Sequence, residues 1–251
     1  KALNKINILS SEEQKKIQEG LISINKEIES GKFEWRDDLE DIHMNIESRL
    51  HDLVGLIAGK IHTGKSRNDQ VATSLRMYLK SRVDYIQSLI RNLEIEIVRK
   101  ADLNFGTIMP SYTHLQRAQP VLLSHHLMAY FEMLERDVSR FSECKTRMDE
   151  LILGSGAVAG SFYNIDRDFL AKELCFSRIN KNSIDGVSDR DFILDLANCI
   201  TTSMMHLTRL SEELILWSSE EFNFINLPDN VVTTSSMMPQ KRNPDYPELI
   251  R

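Results

Sequence analysis

Apolar residues recur at alternating spacings of three and four along three long stretches of the chain. In the first, Leu79, Val83, Ile86, Ile90, Leu93 and Ile97 form one seam, with Arg82, Asp84, Arg91, Glu94 and Glu96 around it. In the second, Leu127, Phe131, Leu134, Val138 and Phe141 repeat the spacing, which resumes at Met148 after Lys145 interrupts it. In the third, Leu196, Ile200, Ser203, Leu207, Leu210, Leu214 and Trp217 do so again. This is the period of an amphipathic helix of coiled-coil type. Each segment is expected to run for about 25 to 30 residues, or roughly 40 to 45 Å at 1.5 Å per residue. An apolar stripe of that length needs equally long partners. The predicted fold is therefore mainly α, an elongated helical bundle completed by oligomerisation into a multi-helix core; a monomeric bundle is the alternative.

Polar, turn-prone connections separate the helices at residues 59–68, 104–119, 154–167, 180–190 and 227–245. Before them, two shorter helices are expected over Ser11–Glu29 and Asp38–Leu53, and Ser10 or Ser11 followed by Glu13 or Gln14 fits a capping box. The reading divides the chain into an N-terminal helical domain, residues 1–64, and a central long-helix domain, residues 65–251. With no initiator Met and a stop at what reads as a helix start, the chain is expected to be part of a longer polypeptide.

Composition narrows the function. Gly (10) and Pro (6) are scarce, while 41% of the residues are apolar and 27% charged, which argues against a loop-rich β-sandwich or a disordered chain. Lys plus Arg (31) against Asp plus Glu (37) leaves a formal charge of −6, so the chain has no general attraction for nucleic acid or an anionic membrane. Cys144, Cys175 and Cys199 are odd in number and widely spaced, as expected of free thiols in a reducing cytosol. No apolar run approaches about 18 residues, so a cytoplasmic protein is expected.

Two glycine patterns invite nucleotide readings. Gly59-Lys-Ile-His-Thr-Gly64-Lys65-Ser66 satisfies GxxxxGK[ST], but that loop needs a buried strand before it within a parallel sheet. Only Leu53–Ala58 offers itself as a strand, and no β-branched runs exist to surround it. Gly154-Ser-Gly156-Ala-Val-Ala-Gly160 has one residue too many for a dinucleotide fingerprint and follows a helix; close backbone packing at a helix break is the simpler reading.

Three other segments carry chemistry. In Ser66-Arg67-Asn68-Asp69-Gln70, Ser66 or Asp69 can serve as a helix N-cap, while Arg67 and Asn68 exceed what a cap requires. A guanidinium fork and an amide at a helix N-terminus suit a carboxylate. In Tyr112-Thr113-His114-Leu115-Gln116-Arg117-Ala118-Gln119-Pro120, His114 beside Thr113 and Gln116 is a candidate for substrate contact or proton handling, and Pro120 reads as an early helical residue. His125 and His126, lacking partners at metal spacing, read as packing or interface residues. The segment Thr233 to Pro244 is either a mobile linker or an anion-binding loop holding a serine among Lys241, Arg242 and Asn243. Positive surroundings favour the alkoxide over the alcohol and so let a serine act as a base. Glu248 follows on an expected helix and is available to a histidine from elsewhere in an assembly.

Together these segments resemble the motif regions of the fumarase/aspartase superfamily, and their wording is closest to its argininosuccinate lyase/δ-crystallin branch. The matching phrases are Glu40-Asp-Ile-His-Met-Asn-Ile-Glu47, His62-Thr-Gly-Lys-Ser-Arg-Asn-Asp-Gln70, Tyr112 to Pro120, Asp185-Gly-Val-Ser-Asp-Arg-Asp191 and Ser235-Ser-Met-Met-Pro-Gln-Lys-Arg-Asn-Pro244. The resemblance runs through essentially the whole chain and claims Gly59–Ser66 as the approach to its first motif. It implies a homotetramer around a twenty-helix core, with active sites where three subunits meet. The reaction it implies is reversible β-elimination of argininosuccinate to L-arginine and fumarate, without metal or organic cofactor.

Carried over position by position, the resemblance makes Ser235 the general base. It matches Lys241 and Asn243 to groups that hold the substrate carboxylates, with Lys241 stabilising the charge they acquire. His114 matches the histidine that pairs with the acid at Glu248 and assists protonation of the leaving nitrogen. Ser66, Arg67, Asn68 and Thr113 match substrate-binding positions, Arg190 resembles a further substrate contact, and His43 lies in a motif-like phrase. Three positions depart from the family pattern: Thr234 stands where glycine usually precedes the paired serines, Lys65 where Arg is common, and Ser111 where Gly precedes the Tyr. The alternatives are a sibling lyase acting on adenylosuccinate, fumarate or aspartate, and a catalytically silent crystallin-like structural protein.

Overall fold

The computed structural model describes residues 1–251, and the three periodic stretches form its three longest helices. In chain order the elements are α1 (Ala2–Lys5), α2 (Ser11–Glu29), α3 (Ile42–Val54), a 3-10 helix over Gly55–His62, α4 (Arg67–Leu103), β1 (Ile108–Thr113), β2 (Gln116–Leu122) and α5 (Leu123–Met148). They continue with β3 (Glu150–Leu151), α6 (Arg167–Glu173), β4 (Arg178–Ile179), α7 (Ser183–Ser188) and α8 (Asp191–Ser218). A short 3-10 turn at Asp229–Val231, β5 (Thr233–Thr234), β6 (Arg242–Asn243) and α9 (Asp245–Ile250) complete the chain. The fold is mainly α, and none of its helices is long and apolar enough to cross a membrane.

Local chemistry sets the helix starts. Ser10 Oγ accepts the Glu13 N–H at 3.1 Å while Glu13 Oε2 accepts the Ser10 N–H at 2.9 Å, the capping box expected ahead of α2. The next helix begins at Ile42 and not at Asp38, because the Asp41 side chain accepts the Met44 N–H at 2.7 Å and caps it there. Leu53–Ala58 supplies no strand: it ends α3 and enters the 3-10 helix. The chain's sheets are three separate two-stranded pairs, and none has a strand leading into the GxxxxGK[ST] pattern, which follows a helix instead.

The chain folds as two compact units, and the division differs from the one read at residue 64. The first comprises Lys1–Leu79 and Asp149–Asp189. Its helical part closes over Leu9, Ile17, Ile24, Phe33, Leu50 and Ala58. A second cluster, Leu151, Ala171 and Phe176, forms around the parallel pair of β3 and β4. Residues 149–189 return to this unit because the first turn of α4 is bonded to their glycine-rich loop through Asp69.

The second unit comprises Lys80–Met148 and Arg190–Arg251. Val83, Ile90 and Ile97 of α4 are buried here, as are Leu134, Val138, Phe141 and Met148 of α5. Gln87 Nε2 donates to the Val138 carbonyl at 3.0 Å, and Lys145 pairs with Asp84, tying α4 to α5. On α8 the buried seam runs through Phe192, Leu196, Cys199, Ser203 and His206, whereas Ile200, expected inside, is 42% exposed. The rotation follows from a buried polar contact: His206 Nδ1 lies 2.8 Å from Asp137 Oδ2 on α5. Tyr85, Leu89, Ile95 and Val98 on α4 and Leu194, Met204 and Met205 on α8 remain exposed.

Candidate active site

The first candidate segment opens α4. Ser66 is its N-cap: its carbonyl accepts the Gln70 N–H at 3.1 Å, its Oγ accepts the Asn68 N–H at 3.3 Å, and its own N–H is bonded to Asp69 Oδ1 at 2.9 Å. Arg67 is held by two carboxylates from α3 and the residue before it. Its Nη1 and Nη2 donate to the two oxygens of Glu47 at 3.2 and 3.3 Å, and its Nε pairs with Asp41 at 3.1 Å. This fork fixes the guanidinium plane. Lys65 Nζ lies 3.7 Å from the same Glu47, with its side chain 17% exposed; burial holds its pKa below the usual lysine range, helped by the Arg67 charge and opposed by Glu47. Asn68 is exposed beside the cap, its Nδ2 donating to Ser66 Oγ at 3.3 Å. His43 accepts from Gln70 Nε2 at 3.2 Å, and burial, with the nearby Arg67 and Lys65 charges, keeps its pKa low.

Glu47 is therefore the counter-ion of this cluster. Burial pushes its pKa up, but the Arg67 hydrogen bonds and the Lys65 and Arg67 charges outweigh that, and the net shift is downward. A carboxylate depressed in the folded state contributes stability above its unfolded pKa, about 4.3, and loses it as pH falls through the folded value. The thermal midpoint of Glu47→Gln is expected to lie below that of the unsubstituted protein at pH 7 and to converge with it below about pH 4. A constant gap from pH 7 to pH 3 would show that the charge of Glu47 is not what stabilises the cluster.

The second segment is a β-hairpin where a polar connection was expected. β1 and β2 pair antiparallel, with Thr113 opposite Gln116 and a two-residue tip of His114 and Leu115 at φ 54° and 58°. Positive φ at both tip residues is the geometry of a tight hairpin turn, and for non-glycine residues it is strained. Thr113 and His114 are exposed at this tip. Pro120 is a strand residue opposite Pro110, not an early helical one; α5 starts three residues later. In a two-stranded ribbon each strand is an edge, so the missing proline N–H groups cost no ladder bond. Tyr112 anchors the base on Phe222 and Phe224, with ring centroids 5.4 and 6.4 Å away. Below it His126 packs: its Nε2 lies 2.6 Å from Glu213 Oε2 and its ring meets Trp217 edge-on, while His125 is exposed.

The third segment is a short loop closed by β5 and β6, with Thr233 opposite Asn243 and Thr234 opposite Arg242. Thr234, in place of the usual glycine, is thus a paired strand residue. Inside the loop Ser235 Oγ accepts the N–H groups of both Met237 and Met238 at 3.3 Å. Lys241 Nζ donates to Asn243 Oδ1 at 2.6 Å, and Arg242 is held by Asp229 and by the Leu227 carbonyl. Thr233 Oγ1 donates to Asp245 Oδ2 at 2.6 Å, anchoring the strand to the start of α9. Glu248 is exposed on α9, and Arg190 is exposed at the N-cap of α8.

Within the chain, Ser66, Arg67 and Asn68 share one turn; Ser235, Lys241 and Asn243 share the loop closed by β5 and β6, where Lys241 bonds Asn243 and Ser235 bonds the backbone of Met237 and Met238. No hydrogen bond or ion pair joins His114 to Glu248 or to Ser235. The residues that reading the sequence for chemistry missed are Asp41 and Glu47, which orient Arg67, and the second carboxylate oxygen of Asp69; the phrase Glu40–Glu47 signalled the first two.

A family model described as lyase matches residues 1–251. The chain belongs to this family of lyases, in keeping with the fumarase/aspartase wording of its motifs. Among curated relatives, an argininosuccinate lyase of Acinetobacter baumannii is 53% identical over 99% of this chain and 52% of its own length. The chain thus spans about half the length of the curated relatives it matches. Among solved structures, an EDDS lyase in complex with formate superposes with a TM-score of 0.89 at 32% identity, covering 99% of this chain and 49% of the other. A class II fumarase from Schistosoma mansoni shares the fold with a TM-score of 0.79 at 22% identity, over 100% of this chain and 61% of its own.

Proposed function

We propose that the protein to which this chain belongs is a carbon–nitrogen lyase that cleaves argininosuccinate reversibly to L-arginine and fumarate, in the biosynthesis of arginine. The observation that carries this reading is the 53% identity to an argininosuccinate lyase across nearly the whole chain.

In this reading Ser235, as alkoxide, takes a proton from the carbon next to a substrate carboxylate. The two N–H groups that Met237 and Met238 aim at Ser235 Oγ favour its anionic form. The electron pair left on carbon moves into the adjoining carboxylate, giving a doubly negative aci-carboxylate whose charge Lys241, steadied by Asn243, offsets. Collapse of that pair forms the fumarate double bond and breaks the C–N bond to the guanidino group, whose nitrogen takes a proton from the His114–Glu248 side. Arg67, Ser66, Asn68, Thr113 and Arg190 bind and orient the remaining carboxylates. The elimination itself asks for no metal or organic cofactor.

We further propose a homotetramer with each site shared by three subunits. The exposed apolar residues of α4 and α8 support it, as does the absence of any bond between the hairpin tip and the serine loop within one chain.

The test is the appearance of fumarate absorbance when purified full-length protein meets argininosuccinate. Turnover is expected. Consumption of adenylosuccinate or aspartate instead would reject the substrate, and no turnover with any of them would leave the crystallin-like structural role.

A further inference from the structure

Asp69 is bonded beyond what a helix cap requires. It is the third residue of α4 and fully buried, and its Oδ1 accepts the Ser66 N–H, which completes the cap. Its other oxygen, Oδ2, accepts two more N–H groups, from Gly154 at 2.9 Å and Gly156 at 2.8 Å. Positive φ values of 99° and 60° at these glycines turn both N–H groups toward one point, a backbone nest of the kind that cradles anions. The anion it holds is the chain's own carboxylate.

The nest is fixed from its other side. The Gly160 N–H donates to the Ser155 carbonyl at 2.7 Å, and Ser155 Oγ donates to Asn180 Oδ1 at 3.1 Å. Arg167 Nε donates to the Leu153 carbonyl at 3.2 Å. A Cβ on Gly156 would lie 2.4 Å from the Gly160 oxygen, so backbone packs on backbone there. Beside this contact lies a cleft of about 270 Å³ lined by Gly64, Lys65, Ser66, Gly156, Gly160 and Tyr163.

We propose that Asp69 is a positioning residue for substrate-carboxylate recognition: it ties the Ser66-Arg67-Asn68 turn to the glycine-rich loop 154–160, which serves as its rigid base. This rests on the lyase reading above. Asparagine at 69 separates the two duties. Its Oδ1 can still accept from Ser66, but its amide N–H₂ would face the N–H groups of Gly154 and Gly156, donor against donors.

In full-length protein, Asp69→Asn is expected to raise KM for argininosuccinate about 10- to 100-fold while kcat changes less than about threefold, the pattern of lost binding and not of lost chemistry. Gly156→Ala strikes the contact from its other partner and is expected to give the same KM signature. The double variant should be little worse than either single one, since both break one tie. If Asp69→Asn does not fold, Gly156→Ala carries the test. Amide exchange in a peptide spanning Gly154–Gly156 should accelerate at least about tenfold in Asp69→Asn. Unchanged KM in either folded variant, with only the melting temperature lowered, would reduce Asp69 to a cap and overturn the proposal. If the unsubstituted protein forms no fumarate, the lyase reading fails separately. Exchange then decides the tie: acceleration supports it and unchanged exchange overturns it.

Discussion

Ser235→Ala in the full-length protein is expected to lower kcat for argininosuccinate cleavage by about three to four orders of magnitude, the scale on which a lone catalytic group is missed. The expectation follows from the loop. Only Ser235 Oγ collects both the Met237 and Met238 N–H groups, whereas Ser236, its neighbour, is exposed. Alanine leaves the two N–H groups and Lys241 in place, so the charge-stabilising surroundings persist with nothing to accept the proton. KM should change little, because the carboxylate contacts proposed for Arg67, Ser66 and Asn243 are left untouched. Ser236→Ala is the control and should lose far less. Initial rates of fumarate absorbance decide it: a Ser235→Ala enzyme within tenfold of the unsubstituted rate removes Ser235 as the base.

The second large effect concerns stability. Asp137, fully buried on α5, accepts from Arg140 at 2.9 Å and lies 2.8 Å from His206 on α8. Removing one member of a buried polar pair strands the other, and Asp137→Ala is expected to cost about 3–5 kcal/mol. Replacing both, as Asp137→Leu with His206→Leu, should recover much of that loss, since an apolar pair leaves no buried polar group without a partner and the Arg140 side chain, 42% exposed, can turn to water. Urea unfolding of the two variants beside the unsubstituted protein measures this. A loss under about 1 kcal/mol for Asp137→Ala would mean that the α5–α8 contact does not depend on the pair.

The long helices were legible because their charged and apolar positions segregate with helical period over many turns. At Ile200 the same pattern misled: apolar stripes through Ile200 or through Cys199 and His206 are equally regular, and the Asp137–His206 contact chose the second. The hairpin was illegible for opposite reasons at its ends and tip. Pro110 and Pro120 argue against strands, and a His-Leu tip carries none of the glycine or asparagine that marks such turns. The first motif announced itself by its density of polar groups. Glu47 and Asp41 showed only through the phrase Glu40–Glu47, since a half-exposed carboxylate on a helix or at its cap looks like any solvated one. Composition marks where a linker lies but not where the backbone returns, as residues 149–189 do to the first unit.

That return sets an order of events in the making of the protein. The cluster from Leu9 to Ala58 has all its members once the chain through about residue 60 has left the ribosome. Asp69 then waits while Lys80–Met148 is synthesised, and its nest emerges on the order of ten seconds later at about 5–20 residues per second. Until then a carboxylate destined for burial stays in water, and the turn that carries Ser66, Arg67 and Asn68 lacks its seat. A nascent chain stalled inside α5 would therefore hold a finished hydrophobic nucleus with the turn at residues 66–68 still unassembled.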